Sequence, residues 1–159
     1  MKKNTGKLAV SGLVPWLWVA AFAVAPALSS AAEPRVVKIK ATDAMQYDVK
    51  LIQAKPGETL KVVLTAIGSM PKAEMGHNFV LLAKGTNVDA FVMDASMARD
   101  NAYIPKAKAA SILASTKLAG GGETVEVVFD APKEPGEYVF ICTFPAHYIA
   151  GMKGKLVVK

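Results

Sequence analysis

With 159 residues, 52% of them hydrophobic, the chain has material for one packed domain rather than several. Its net charge of +6 is no argument for nucleic acid: Lys2, Lys3 and Lys7 precede the first acidic residue, Glu33, and without them the balance is a dispersed +3. The single cysteine, Cys142, excludes any disulfide within the chain.

In chain order, the first segment is a positive start followed by a mostly apolar stretch from Leu8 to Leu28, closing on Ser30-Ala31-Ala32. This pattern predicts a secretory signal over 1–32, ahead of one domain at 33–159. A retained membrane anchor is the rival reading, since the apolar stretch approaches the roughly 20 residues that span a bilayer. Pro15, Pro26 and the small-residue end favour cleavage, and no membrane contact is expected once the signal is gone. Export into an oxidising compartment sharpens the question of the lone thiol, because secreted domains use cysteines in pairs. Cys142 is then a buried inert thiol, one half of an intermolecular disulfide, or a metal ligand.

Short β-branched or alternating segments follow at 36–41, 59–67, 77–82, 124–131, 137–142 and 154–159. Pro56-Gly57, Gly120-Gly121-Gly122 and Pro135-Gly136 punctuate them, which predicts an all-β antiparallel sandwich or barrel. One helix interrupts the strands over about 88–103, where Phe91, Val92, Ala95 and Met97 or Ala98 follow helical spacing, with Asn87 as cap and Pro105 as stop. The later half of "KAKAASILASTKL" reads as a further strand. Tyr138 and Phe140 are expected to fill the core.

The stretch "CTFPAHYIAGM" places Cys142, His147 and Met152 at steps of five. On a helix each step rotates by about 500°, scattering the three side chains around the cylinder. On a strand it spans roughly 16 Å and changes face. Only a tight loop brings them together, and Pro145 and Gly151 supply turn-prone residues within it. The second histidine, His77, stands 65 residues before Cys142 at the start of a strand pattern, and a sandwich joins such distant strands. One thiolate, two imidazoles and a thioether form a donor set that selects copper over magnesium or calcium.

The motifs "TDAMQYD", "EMGHNFVL", "STKLAGGGE" and "YVFICTFPAHYIAGMKGKLVVK" together resemble the azurin-type cupredoxins over nearly all of 33–159. The resemblance implies a Greek-key β-sandwich or barrel of about eight strands with a helical flap. It also implies a bacterial periplasmic setting and one type 1 (blue) copper ion that shuttles single electrons. By position, His77, Cys142 and His147 match the equatorial ligands, Met152 the weak axial ligand and Gly76 the residue whose backbone carbonyl approaches the metal. A glycine suits that place because no Cβ blocks the approach. Asn78, Thr143 and Phe144 match residues packed around the ligands, Asn78 tying the two ligand loops together.

The outer edge of the His147 ring is expected at the surface, within an apolar docking patch for transient redox partners made by Met45, Met75, Phe144, Pro145, Ala146, Ile149 and Ala150. Four residues separate His147 from Met152, as in the auracyanin-like branch, where three are commoner in the family. Ala146 replaces a usual glycine, Glu74 replaces a usual apolar residue, and the family's disulfide between its first strands is impossible here. An enzyme would need a further histidine-rich copper site, and both histidines are already spent. A copper carrier or storage protein is the alternative, although Met70, Met75, Met93 and Met97 form no dense cluster. Zinc also accepts such ligands.

Overall fold

Between Arg35 and Thr42 alternate side chains, Val37, Ile39 and Ala41, turn into the core, which is the period of a strand, and these residues form β1 (Arg35–Thr42). The computed structural model describes residues 1–3 and 33–159, so the expected secretory signal lies outside the described residues apart from its first three. The chain continues through β2 (Gln46–Tyr47), β3 (Leu51–Ala54), β4 (Thr59–Ala66), a single turn α1 (Lys72–Met75), β5 (Val80–Leu82) and α2 (Val88–Met97). After α2 come β6 (Ile112–Ser115), β7 (Thr124–Asp130), β8 (Gly136–Ile141) and β9 (Lys153–Val158).

Among the described residues the strands form two sheets, in the orders β2-β1-β4-β7 and β3-β9-β8-β5-β6. The expected antiparallel arrangement is only partly met, because β1 runs parallel to β4, from Arg35↔Leu60 to Ala41↔Ala66, and β3 runs parallel to β9. The reason is a crossover: after β2 the chain enters the other sheet as β3 and returns as β4, so β4 runs in the direction of β1. Strand direction is set by this crossover and carries no local sequence signal.

The core lies between the sheets, where Leu60, Val62 and Leu64 of β4 join Phe79, Phe140 and Leu156. Phe140 packs 5.1 Å from Phe79 and 5.8 Å from Tyr47, and Tyr138 is buried with its hydroxyl donating to the Glu134 carbonyl, so both expected core aromatics are in place. Gly154 is required in β9, since a Cβ there would lie 2.2 Å from the Phe140 ring.

The helix covers the other face of β5 and β8, placing Phe91 and Ala95 against Val80, Leu82 and Ile141. Asn87 caps it as expected, its side chain accepting from the Ala90 amide. The helix ends earlier than expected. A 3₁₀ turn at Arg99–Asn101 follows, and Ala102 and Tyr103 both adopt left-handed backbone angles. Pro105 therefore opens a second 3₁₀ segment, Lys106–Ser111, and does not stop the helix, while Met97 is 86% exposed and no part of the buried stripe. Among the described residues no helix is long and apolar enough to cross a membrane.

Candidate metal centre

β8 ends at Ile141, and Cys142 is the first residue beyond it. The loop then turns back on itself: the His147 amide donates to Phe144, Ala150 to Ala146 and Gly151 to Tyr148. The Met152 amide donates to the His147 carbonyl at 2.9 Å, and the Cys142 amide to the Met152 carbonyl at 3.1 Å. Cys142, His147 and Met152 are thus drawn together by the loop's own hydrogen bonds, as the spacing requires. Gln46 braces the loop from β2 through a 2.7 Å bond to the Ala150 carbonyl. Ala146 sits at φ +69°, a left-handed conformation costing an alanine roughly 1–2 kcal/mol, which accounts for the glycine usual at this place in azurin-type chains.

The expected strand over 77–82 begins only at Val80. His77 is held instead by a two-residue bridge, donating to the Ala119 carbonyl at 2.8 Å and accepting from the Ala119 amide at 2.7 Å. This fixes its ring against the loop from β8. Donor atoms of His77, Cys142 and His147 all lie within 4.8 Å of one another, with His147 Nδ1 3.4 Å from the sulfur. The two imidazoles are 5.0 Å apart, centroid to centroid. The Gly76 carbonyl stands 3.9 Å from Sγ, and Met152 is fully buried at the end of the loop.

Asn78 ties the two segments together: its Oδ1 accepts from the Thr143 amide at 2.9 Å and its Nδ2 donates to the Thr143 hydroxyl at 2.8 Å. The buried Tyr47 hydroxyl donates to the Asn78 carbonyl, adding β2 as a third segment to the clamp. Phe144 packs its ring 4.8 Å from His147 and 5.0 Å from Tyr103. Sequence reasoning gave no role to Tyr47, Tyr103 or Ala119. Tyr47 lies within the motif "TDAMQYD", but nothing local signals that its hydroxyl reaches residue 78.

Packing also calls for a glycine at 76: a Cβ there would lie 2.8 Å from the Lys72 carbonyl of α1 and 3.0 Å from the Phe144 ring. One expectation needs correction. His147 does not show a ring edge to solvent; it is 1% exposed, with Phe144 packed against it. Of the expected patch, Ala146, Ile149 and Ala150 are exposed, Met45, Met75 and Pro145 are half-buried, and Phe144 lies beneath the surface. Glu74 is exposed on α1.

Burial sets the charge state of the cluster. The Cys142 thiol is pushed up to about 12, against which hydrogen bonds from the Asn78 and Phe144 backbone act only in part. His147 is pushed down to about 4 by burial and by its neighbour His77, which burial also lowers. Without metal the site therefore holds a neutral thiol beside two neutral imidazoles. Among the described residues both ring nitrogens of His77 are buried with no hydrogen-bond partner, an arrangement that is costly unless the lone pair of the unprotonated nitrogen finds another acceptor. A cation that prefers sulfur and imidazole nitrogen meets that need, so the residues fit copper.

The comparisons agree. The model of the family described as copper binding proteins, plastocyanin/azurin family, matches residues 35–159. The chain is 40% identical over 122 residues to outer membrane protein H.8 of Neisseria meningitidis, a match covering 76% of this chain and 65% of that protein's length. It is 42% identical over 123 residues to the azurin of Achromobacter denitrificans, covering 74% of this chain and 80% of that one. The crystal structure of dithionite-reduced auracyanin from Roseiflexus castenholzii superposes with a TM-score of 0.69 at 32% identity, covering 81% of this chain and 99% of auracyanin. Motif order, sheet topology and a convergent His-Cys-His cluster thus lead to one conclusion: the chain belongs to the plastocyanin/azurin family, a cupredoxin whose cofactor is copper and whose His77, Cys142 and His147 are positioned to hold it.

Proposed function

We propose that this protein carries single electrons through one type 1 copper ion held by His77, Cys142 and His147. Met152 and the Gly76 carbonyl would complete the set of groups that hold it. The observation that carries the reading is the buried meeting of one thiol with two neutral imidazoles, one of which has both nitrogens unpaired. Copper bound there supplies a one-electron couple between Cu(I) and Cu(II). The chain's own task is to keep its donor atoms nearly still while the charge changes.

Asn78 and Thr143 serve that task by locking the His77 segment to the Cys142 loop, and Phe144 excludes water from the imidazole side. Losing such a supporting residue costs about 10–100-fold in metal affinity or activity in comparable sites. We further propose that 1–32 is a removed secretory signal and that 33–159 works in a bacterial periplasm as a carrier rather than an enzyme. Redox partners would dock on the surface over His147, where Ala146, Ile149 and Ala150 stand exposed beside the half-buried Met45, Met75 and Pro145. Small, transient contacts suit such exchange.

Visible and electron-spin-resonance spectra of the copper-loaded protein, with voltammetry, test this reading. An intense thiolate-to-Cu(II) band and a reversible one-electron wave without loss of metal are expected. Cys142→Ser should lose the band and keep its far-UV circular dichroism. A colourless Cu(II) protein overturns the ligand set, and release of copper on reduction makes the protein a carrier of the metal instead.

A further inference from the structure

The sequence "KGK" at 153–155 places two lysines on the outer face of β9, because side chains alternate and Gly154 turns inward against Phe140. Lys50 joins them from the neighbouring chain segment, where its carbonyl accepts from the Lys155 amide at 2.9 Å. These three lysines and the half-buried Val88, Val139 and Tyr148 line an open groove of about 380 Å³. The groove borders the ligand loop directly. Lys50 Nζ lies 3.5 Å from the Gly151 carbonyl, Lys153 Nζ lies 4.5 Å above the Tyr148 ring, and Tyr148 and Lys153 directly follow His147 and Met152 in the chain.

The balance of charge around the groove is one-sided. Lys50 bonds a neutral partner, the Gln46 side chain, and Lys153 rests on an aromatic face. Lys155 pairs with Glu137 at 2.7 Å, but both side chains are more than half exposed, so the pair is weak and readily exchanged for another carboxylate. A second acid, Asp89, lines an adjoining hollow with Val92, Met93 and Ile149, which shares Tyr148 with the groove. A cationic groove with an apolar floor is thus set against the apolar surface over the ligands. An apolar patch supplies contact area but little orientation, whereas adjacent like charges steer and orient an oppositely charged partner.

We propose that this groove seats an acidic segment of the redox partner protein, orienting it so that the partner's redox centre faces the ligand loop. The inference rests on the electron-transfer reading. In the step concerned the reduced protein would give up one electron, supplied by the copper that His77, Cys142 and His147 would hold. The partner's oxidised redox centre accepts that electron, and no proton or atom moves with it.

The test uses an acidic c-type cytochrome as probe and a basic one as control, mixed in stopped flow with the reduced, copper-loaded protein. For the parent, the rate with the acidic cytochrome should be high at low ionic strength and fall steeply with salt. The triple variant Lys50→Gln, Lys153→Gln, Lys155→Gln should lose about tenfold of that rate and most of its salt dependence. Its rate with the basic cytochrome should not fall, and its visible spectrum should match the parent's. If the triple variant does not fold, the three single variants should each show part of the loss.

Amide chemical shifts of the full chain titrated with the acidic cytochrome give a readout independent of electron flow. Shifts gathered at Lys50, Val139, Tyr148, Lys153 and Lys155 support the groove even if the electron-transfer reading fails. Parental rates and salt dependence in the variants, or shifts confined to Ala146, Ile149 and Ala150, overturn it.

Discussion

Charge at the site is decided by burial more than by residue type. A histidine and a cysteine in water titrate near 6.5 and 8.5, but here His147 falls to about 4 and Cys142 rises to about 12. Binding copper must then displace the thiol proton alone, since the imidazoles are already neutral. Between about pH 6 and 8 the protein is expected to release about one proton per copper, measured by calorimetry in buffers of different ionisation enthalpy. Release of two or more near pH 6 would mean that the histidines titrate normally.

Stability of the metal-free form follows from the same shifts. Both histidines have folded values below their unfolded ones, so below about pH 6.5 the unfolded chain binds more protons. Their contribution is complete above that pH and is lost as the pH falls, for His147 toward about 4. Cys142 acts in the opposite sense: its contribution is complete below about 9 and is lost as the pH rises toward 12. Urea midpoints across pH should trace a plateau falling at both ends. At this scale the sequence made the ligand types legible, because sulfur and imidazole are chemically distinct. The burial of His147 and the reach of the Tyr47 hydroxyl were not legible, because both depend on neighbours distant in the chain.

Among the elements, strands were readable where alternation ran long, as in β1, β4 and β7, whose inward and outward residues repeat with period two. β2 and β3 are two and four residues long, too short to show a period. The start of α2 was legible from Asn87, since capping is a local bond. Its end was not, because the chain leaves the helix for left-handed Ala102 and Tyr103, bringing the Tyr103 ring onto Phe144. The close approach of β9 to β8 can be tested directly. A Cβ on Gly154 would meet Phe140 at 2.2 Å and the Lys50 carbonyl at 2.7 Å, so Gly154→Ala forces β9 away from both neighbours. Urea unfolding should show a loss of about 3 kcal/mol, at the upper end for overpacked cores. Gly122→Ala, at φ +79° but with open space around it, should cost only about 1 kcal/mol. Equal costs would place β9 farther from Phe140 than described.

Residues 33–159 are held by an apolar core between the sheets and a smaller one beneath α2, and with one cysteine they use no internal disulfide. Copper-free protein is therefore expected to keep its far-UV circular dichroism and unfold cooperatively. Added copper should raise the midpoint, by about 2.7 kcal/mol of stability when free metal exceeds its dissociation constant a hundredfold. A chelator should reverse the gain without unfolding, and a copper-free chain lacking a cooperative transition would show that the metal builds the fold. The all-β class, the capped helix, the place of the loop from Cys142 to Met152 and the donor types for copper were determined by the sequence alone. Each is written in neighbouring residues, through side-chain period, turn chemistry and ligand affinity. The parallel pairings of β1 with β4 and β3 with β9, the meeting of His77 with Cys142 and the burial that neutralises the cluster were decided only by the tertiary structure. Such features depend on which remote segments share a neighbourhood, and a residue's own surroundings in the chain carry no record of that.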